Sequence, residues 1–185
     1  MFDRQKEIDH SGYTSILTKG GHMENVNVSK VIGAGFVATC VMTMLMYVAP
    51  MMGIPKMDIA SMLGYVLSSG MPQPWTLPWW TGMMMHFING TLILPVLYSY
   101  LFYPFFAGRP WLRGTDWGFI LWLLAQAMVM PMMGMGFFSA KLPEAAMAVM
   151  GSLIGHIVYG AIFGALAGEQ SHSGRAGYEA QASHA

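Results

Sequence analysis

Long apolar stretches alternate with short polar ones along most of the chain. A helix rises 1.5 Å per residue, so about 20 apolar residues are needed to cross the hydrocarbon of a membrane, which is about 30 Å thick. Four stretches reach that length without an Asp, Glu, Lys or Arg in their interior. This pattern predicts membrane-spanning helices at residues 31–52, 79–102, 117–138 and 145–166.

The composition agrees with a membrane protein. Of the 185 residues, 55% are hydrophobic and 10% are charged, against about 25% charged in a typical soluble domain. The mean hydropathy is +0.46. Backbone groups in lipid must be satisfied within their own segment, which favours helices. We therefore expect an all-α fold, a four-transmembrane-helix bundle. Nine basic residues balance nine acidic ones, so no net charge attracts nucleic acid.

Lys and Arg are distributed unevenly around the predicted spans. Seven of them lie in the two tails and in the loop after the second span, whereas only Lys56 and Lys141 lie on the opposite side. Cytoplasmic loops carry the excess of positive charge. We therefore expect a multi-pass protein of the inner (cytoplasmic) membrane with both termini in the cytoplasm. Its polar N-terminal tail would cover residues 1–30, and a disordered C-terminal tail would cover residues 169–185.

The first predicted outer loop contains a short apolar segment at residues 58–68, which cannot span a membrane. Asp58 precedes this segment and has the side chain of a helix N-cap, so we predict an interfacial helix. Prolines and three tryptophans follow, and Trp75, Trp79 and Trp80 are typical of the headgroup level. Membrane anchoring explains this loop, and a docking surface for an outer (periplasmic) partner is the alternative.

The two halves of the chain share a pattern of small residues, prolines and histidines. The matching segments are Gly35-Phe36 with Gly118-Phe119, Pro50-Met51-Met52-Gly53 with Pro131-Met132-Met133-Gly134, and Gly82-His86-Gly90 with Ser152-His156-Gly160. This pattern predicts two tandem helical hairpins, an internal repeat related by a pseudo-two-fold axis along the membrane normal. Small residues four apart share one helix face, where they allow close packing. The predicted packing residues are Gly82, Gly90, Gly155, Gly160, Gly164 and Gly168.

Residues 31–168 resemble an uncharacterised family of small bacterial four-span membrane proteins. The residues that carry the resemblance are Gly33-Ala34-Gly35-Phe36-Val37-Ala38-Thr39, Met42-Thr43, Gly53-Ile54-Pro55, Asp58, Met62-Leu63-Gly64, His86-Phe87, Gly90, Pro131, Gly134, Gly136-Phe137-Phe138, Gly155-His156 and Tyr159-Gly160. The resemblance implies the four-span fold and an association with respiratory membrane enzymes. It implies no activity of its own.

His86 and His156 are the ionisable side chains inside the predicted spans, and such residues are candidates for function because their burial is costly. Three hypotheses remain open for them. They form a structural hydrogen-bonded pair, they ligate a haem b as a bis-imidazole site, or they belong to a non-haem metal or proton-relay site.

Methionine is unusually frequent, with 20 in the chain. All except Met1 and Met23 lie in the middle or the predicted outer half. Flexible packing explains many of them, but converging thioethers with a histidine also select Cu(I). The candidate copper ligands are Met83, Met84, Met85, His86, Met132 and Met133.

The sequence has no motif of a hydrolytic enzyme, and its glycine-rich segment lies in a predicted span rather than after a strand, as a dinucleotide-binding fold would require. Polar residues that would line a channel are few. We therefore expect a non-catalytic accessory subunit or assembly factor of a larger inner-membrane complex, respiratory in kind. Its partners would be other integral membrane subunits and the lipid bilayer. No cofactor is the leading expectation. A Cu(I)-handling protein and a small b-type haem protein are the alternatives.

Overall fold

The computed structural model describes residues 26–68 and 70–169, and all of its regular structure in these ranges is helical. Most of the two predicted tails, residues 1–25 and 170–185, lies outside the described residues. We number the helices in chain order. Their bounds are Val28–Met52 for α1, Ile59–Gly64 for α2, Leu77–Phe105 for α3, residues 110–132 for α4 and Ala145–Ala167 for α5.

Helix α1 begins three residues before the predicted span. Asn27 precedes it, and the side-chain oxygen of Asn27 accepts a hydrogen bond of 3.0 Å from the Lys30 amide. This bond satisfies one of the free N–H groups of the first turn. The last turn, Ala49–Met52, is a 3₁₀ helix, and Gly53 ends it with φ 80°, which glycine adopts without steric cost.

Three π-helical turns interrupt the long helices α3 and α4. They cover Asn89–Ile93, Tyr98–Phe102 and Ala125–Val129. Each turn ends two residues before a proline, namely Pro95, Pro104 or Pro131. Proline has no N–H to give to the preceding turn, and a π turn is one way in which a helix accommodates that loss.

The third predicted span is misplaced. The sequence predicted residues 117–138, whereas α4 covers residues 110–132. The helix begins at Pro110, a favourable first position because the φ of proline is already helical, and it continues through Arg113 and Asp116. It ends because the chain turns away at Gly134 and Gly136, which have φ of 78° and 80°.

Within the part of the chain that the structure describes, three helices are long and apolar enough to cross a membrane, namely α1, α3 and α5. Their windows of highest hydropathy are only 28%, 22% and 28% buried within the protein, so most of their apolar surface faces outwards. Helix α4 has a similar length but carries Arg113, Asp116 and Gln126.

Glycines bring the helix backbones into contact. A Cβ on Gly118 of α4 would lie 3.2 Å from the Gly160 Cα on α5 and would collide with the His156 carbonyl oxygen. A Cβ on Gly35 of α1 would lie 2.8 Å from the Gly90 carbonyl oxygen on α3. Such close approach is the role of small residues at helix interfaces in membranes.

The interior is divided between two clusters. Aromatic side chains dominate the first, where Tyr98 packs against Trp117 and Phe163 with ring centroids 5.7 and 5.1 Å apart. Methionine dominates the second, where Met62 of α2 packs with Met130 and Met133 at the end of α4. The second cluster thus joins α2, in the first predicted outer loop, to the end of α4.

Helices α1 and α4 end in the same hydrogen-bonded turn. After α1, the amide of Gly53 donates to Pro50 O at 3.2 Å, and the amide of Ile54 donates to Ala49 O at 3.2 Å. After α4, the amide of Gly134 donates to Pro131 O at 3.0 Å, and that of Met135 donates to Met130 O at 3.0 Å. The glycine is left-handed in both turns.

Candidate ligand cavity

A cavity of about 340 Å³ lies inside the bundle and receives residues from all five helices. Its walls are mostly aliphatic and thioether groups. Seven lining residues carry polar side chains: Thr39, His86, Asn89, Gln126, Ser152, His156 and Tyr159. The structure thus brings the two predicted histidines to the same cavity, although they lie 70 positions apart in the sequence.

His86 is held by the hydroxyl of Thr43 on α1. The Nε2 atom of His86 lies 2.9 Å from Thr43 Oγ1, and Thr43 Oγ1 also donates to Thr39 O at 2.7 Å. A hydroxyl has one hydrogen to donate. Both bonds therefore form together when His86 Nε2 carries the proton and donates to Thr43, which leaves Nδ1 of His86 as an unprotonated acceptor.

His156 is held by its own helix. Its Nδ1 atom lies 2.8 Å from the Ser152 carbonyl oxygen, which can only accept. Nδ1 of the neutral ring must therefore carry the proton, and Nε2 must be the unprotonated nitrogen. His156 is partly buried and lines the cavity. A hydrogen bond from one ring nitrogen to a carbonyl fixes the tautomer and the orientation of the imidazole ring, and so leaves the other nitrogen as the acceptor.

Gln126 is a buried polar side chain at the cavity with only part of its amide hydrogen-bonded. It is 1% exposed, and its Oε1 accepts a hydrogen bond of 2.9 Å from the Ser139 hydroxyl. Within the described residues its Nε2 has no partner. An unpaired buried amide donor costs about 1–3 kcal/mol, so Gln126 is a candidate for contact with a ligand or a water molecule.

Two of the π turns place polar groups at this cavity. Asn89 and Gly90 come from the first turn of α3, and Ala125 and Gln126 come from the turn in α4. In the i→i+5 pattern the Gly90 carbonyl would accept from residue 95, but Pro95 has no N–H. Tyr159 of α5 donates to that carbonyl instead, at 2.7 Å.

Four of the predicted copper ligands, Met83, Met84, Met85 and Met132, do not line the cavity that holds the histidines. Met84 and Met132 are 57% and 72% exposed, and Met83 lines a different pocket nearer the surface. Of the predicted methionines, Met133 lines the central cavity with His86. The other methionines at the cavity are Met42, Met46, Met57, Met62 and Met130.

The predicted packing glycines have different roles. A Cβ on Gly82 would collide with the Ala60 carbonyl of α2, and one on Gly90 with the Thr39 hydroxyl of α1. Gly155 faces Met42 at an ordinary contact distance of 3.5 Å. Gly160 and Gly164 pack against the backbone of α4. Gly168 differs from the prediction, because it lies just past the end of α5 and adopts φ 71° there.

Asp58 lies at the start of α2. Its carboxylate accepts hydrogen bonds from the amides of Ala60 and Ser61 at 3.1 and 3.2 Å, and from the Trp79 indole at 3.0 Å. Trp79 contacts Trp75 and Trp80 with centroids 5.0 and 4.9 Å apart. These groups line an open pocket with Lys56 and Met83. The predicted interfacial helix is therefore fastened to α3 through Asp58.

The central cavity favours a neutral ligand. Among the described residues that line it, there is no Asp, Glu, Lys, Arg or Cys, so a buried cation would lack a counter-charge. No group of three or more His, Cys, Asp or Glu within residues 26–68 and 70–169 is placed to hold a metal ion. The fit to a bis-imidazole haem is poor, because Nε2 of His86 is already bonded to Thr43.

These features define a small helical membrane protein with an internal, apolar cavity. The chain belongs to a family of unknown function, DUF6789, which matches residues 25–175. No curated protein and no solved structure matches the chain. The predicted resemblance to an uncharacterised family is thus confirmed, and the bacterial source stays a prediction.

Sequence reasoning missed the amide at the cavity. Gln126 is the one strongly polar side chain between Trp117 and Pro131, and it lies five residues before that proline. Gly90 likewise lies five residues before Pro95. A polar or glycine residue at this spacing in an apolar helix is the signal that could have located both π turns.

Proposed function

We propose that the chain is a four-span membrane protein that serves as a non-catalytic subunit or assembly factor of a larger inner-membrane complex. The complex would be respiratory in kind, as the family resemblance implies. The other integral subunits and lipid would contact the outward faces of the helices. An outer partner would meet the exposed side chains of Trp75 and Trp80.

The four-span arrangement is supported by the likeness of the two halves. The pair Gly35 and Gly90 joins α1 to α3, and the aligned pair Gly118 and Gly160 joins α4 to α5. The first helix of each half ends in the same glycine turn. In this arrangement α4 is the third span, with Arg113 near its cytoplasmic end. Arg113 lies 3.5 Å from Glu169 in an ion pair.

The observation that best supports a partner helix is the outward position of Gly33. It is exposed on α1, and a Cβ built on it would have no atom within 4 Å. Small residues on an outward face allow another helix to approach closely. Gly35, two positions further on, faces α3 instead and has no free space.

The test is native electrophoresis of the tagged chain, extracted from its own membranes in mild detergent, with mass spectrometry of the band. We expect the wild type to migrate with redox-enzyme subunits. Gly33→Ile should lose this association because the new side chain blocks the approach of a helix. Met44→Ile, which changes a 69% exposed side chain on the same helix, is the control and should retain it.

Two results would contradict the proposal. Migration of the wild type as a free protein would remove the accessory role. Association with a complex that has no redox subunits would remove the respiratory part. If Gly33→Ile associates as well as the wild type, the partner contacts another face of the bundle.

The two alternative functions receive less support. A Cu(I)-handling protein needs several thioethers near a histidine. The cavity holds six methionines and two histidines, but it has no charged side chain to balance the charge of a Cu(I) ion. A b-type haem protein needs a free Nε2 on His86. Metal analysis and an absorption spectrum of the purified chain test both alternatives. One copper per chain would favour the Cu(I)-handling protein over the accessory role, and a Soret band would favour the b-type haem protein.

A further inference from the structure

The central cavity has the properties of a site for a small organic molecule. Its volume of about 340 Å³ lies within the range of about 300–1,000 Å³ that is typical of ligand pockets. Such pockets have mostly apolar walls and a few polar groups that fix the orientation of the ligand. Here those groups are the histidines and the amide of Gln126.

Two of these groups specify complementary hydrogen-bonding chemistry. Gln126 offers an unused donor, because Oε1 is taken by Ser139 while Nε2 has no partner in the described part of the chain. His156 offers an acceptor, because the Nδ1 proton is committed to the Ser152 carbonyl. A ligand that satisfies both must accept one hydrogen bond and donate another.

The walls indicate a flat, neutral ligand. Six methionines line the cavity, and thioether sulfurs make favourable contacts with the edges of aromatic rings. The lining has no charged side chain to neutralise an ion. An aromatic ring with a hydroxyl group matches the walls and the two hydrogen-bonding groups together.

We infer that the cavity opens to the outside of the bundle between α4 and α5, from the exposure of two lining residues. Leu124 and Ile154 both line it and are 45% and 48% exposed. In the four-span arrangement proposed above, on which this step rests, that surface faces lipid. A ligand would therefore enter from the bilayer, so it must be lipid-soluble.

We propose that the cavity binds a lipid-soluble hydroxylated aromatic ring of the quinol type. One hydroxyl donates to Nε2 of His156, and an oxygen of the ring accepts from Nε2 of Gln126. The oxidised quinone has no hydroxyl. Its carbonyl oxygen would face the lone pair on Nε2 of His156, and two acceptors repel each other. The imidazole of His156 cannot move its proton to Nε2 without losing the hydrogen bond from Nδ1 to the Ser152 carbonyl. The site therefore prefers the reduced form.

The test is equilibrium binding to the purified full chain in detergent, under anaerobic conditions. The probes are a 1,4-benzoquinol with a ten-carbon tail, the matching quinone, and the dimethyl ether of the quinol. We expect saturable binding of one quinol per chain, about tenfold tighter than either other probe, which is the value of one hydrogen bond to a buried acceptor. This comparison needs neither a variant nor a partner complex.

Variants assign the preference to its residues. His156→Phe should make the three probes bind equally, whereas His156→Gln, which keeps an acceptor, should retain part of the preference. Gln126→Met should weaken all three. Thr115→Val is the control, because this exposed hydroxyl bonds only within α4, to Trp111 O at 2.9 Å.

Three outcomes would overturn the proposal. Equal affinity of the wild type for the three probes would mean that they partition into the micelle or the cavity without a specific site. Absence of saturable binding would mean that the cavity holds water only. Cu(I) bound at one per chain and displacing the quinol would make the cavity a metal site. A free chain on native gels with the expected quinol preference would contradict the accessory role alone.

Discussion

The contact between α4 and α5 makes a quantitative prediction for Gly160→Ala. A Cβ on Gly160 would collide with the Gly114 carbonyl oxygen and would lie 2.9 Å from the Gly118 Cα. The optimal separation of two carbons is about 3.5–4.0 Å, so the second contact alone is too short by roughly 0.6 Å. The clashing atoms belong to the backbone and cannot rotate away, so the helices must separate.

The expected cost is about 1–3 kcal/mol of unfolding free energy, the usual range for overpacking. A gap of about 0.5–1 Å also removes a quarter to a half of each contact energy along the interface. Alanine favours a helix over glycine by about 1 kcal/mol, which offsets part of this cost. Gly33→Ala receives the same gain without a clash, because its surroundings are open.

The assay is unfolding of the purified protein by SDS titration in mixed micelles, followed by circular dichroism. We expect Gly33→Ala to be as stable as the wild type or slightly more so, and Gly160→Ala to be less stable than Gly33→Ala by about 1–3 kcal/mol. Equal stability of the two variants, to within about 0.5 kcal/mol, would refute the backbone contact between the helices.

Three further predictions use similar measurements. Asp58→Ala should lower the unfolding free energy by about 1–2 kcal/mol in the same titration, because α2 loses its cap and the Trp79 indole loses its acceptor. The control is Glu144→Ala, at a helix start without a side-chain cap, which should lower it less. An equal loss in the two variants would contradict the capping role. Tyr159→Phe should lower the unfolding free energy by about 1–3 kcal/mol, because it leaves the Gly90 carbonyl unpaired. The control is Tyr100→Phe, at a tyrosine that is 36% exposed. If both variants are equally mild, a water molecule replaces the Tyr159 hydroxyl. A reporter after Ser171 should be cytoplasmic and one near Pro72 external, and the reverse labelling would contradict the orientation.

The sequence alone determined the helical class and most of the helix positions. Residues 31–52 and 145–166 were predicted to within three residues of α1 and α5 at each end, because an uninterrupted apolar run can satisfy its backbone in lipid only as a helix. The bounds predicted for the third span were wrong for a related reason. Hydropathy excludes Arg113 and Asp116, but a helix begins and ends where its backbone geometry allows, and Pro110 and Gly134 decide that.

The candidate site depended on tertiary structure. A periodic pattern showed that His86 and His156 lie on small-residue faces, but it could not show which methionines lie beside them. Met84 and Met133 were both predicted as copper ligands, yet Met84 faces outwards and Met133 is buried. The direction in which side chains point changes at each π turn of α3 and α4, and the packing of glycine against backbone fixes how the neighbouring helix is rotated. Hydrogen bonds to Ser152 and Thr43 then select the tautomers, which no sequence pattern contains.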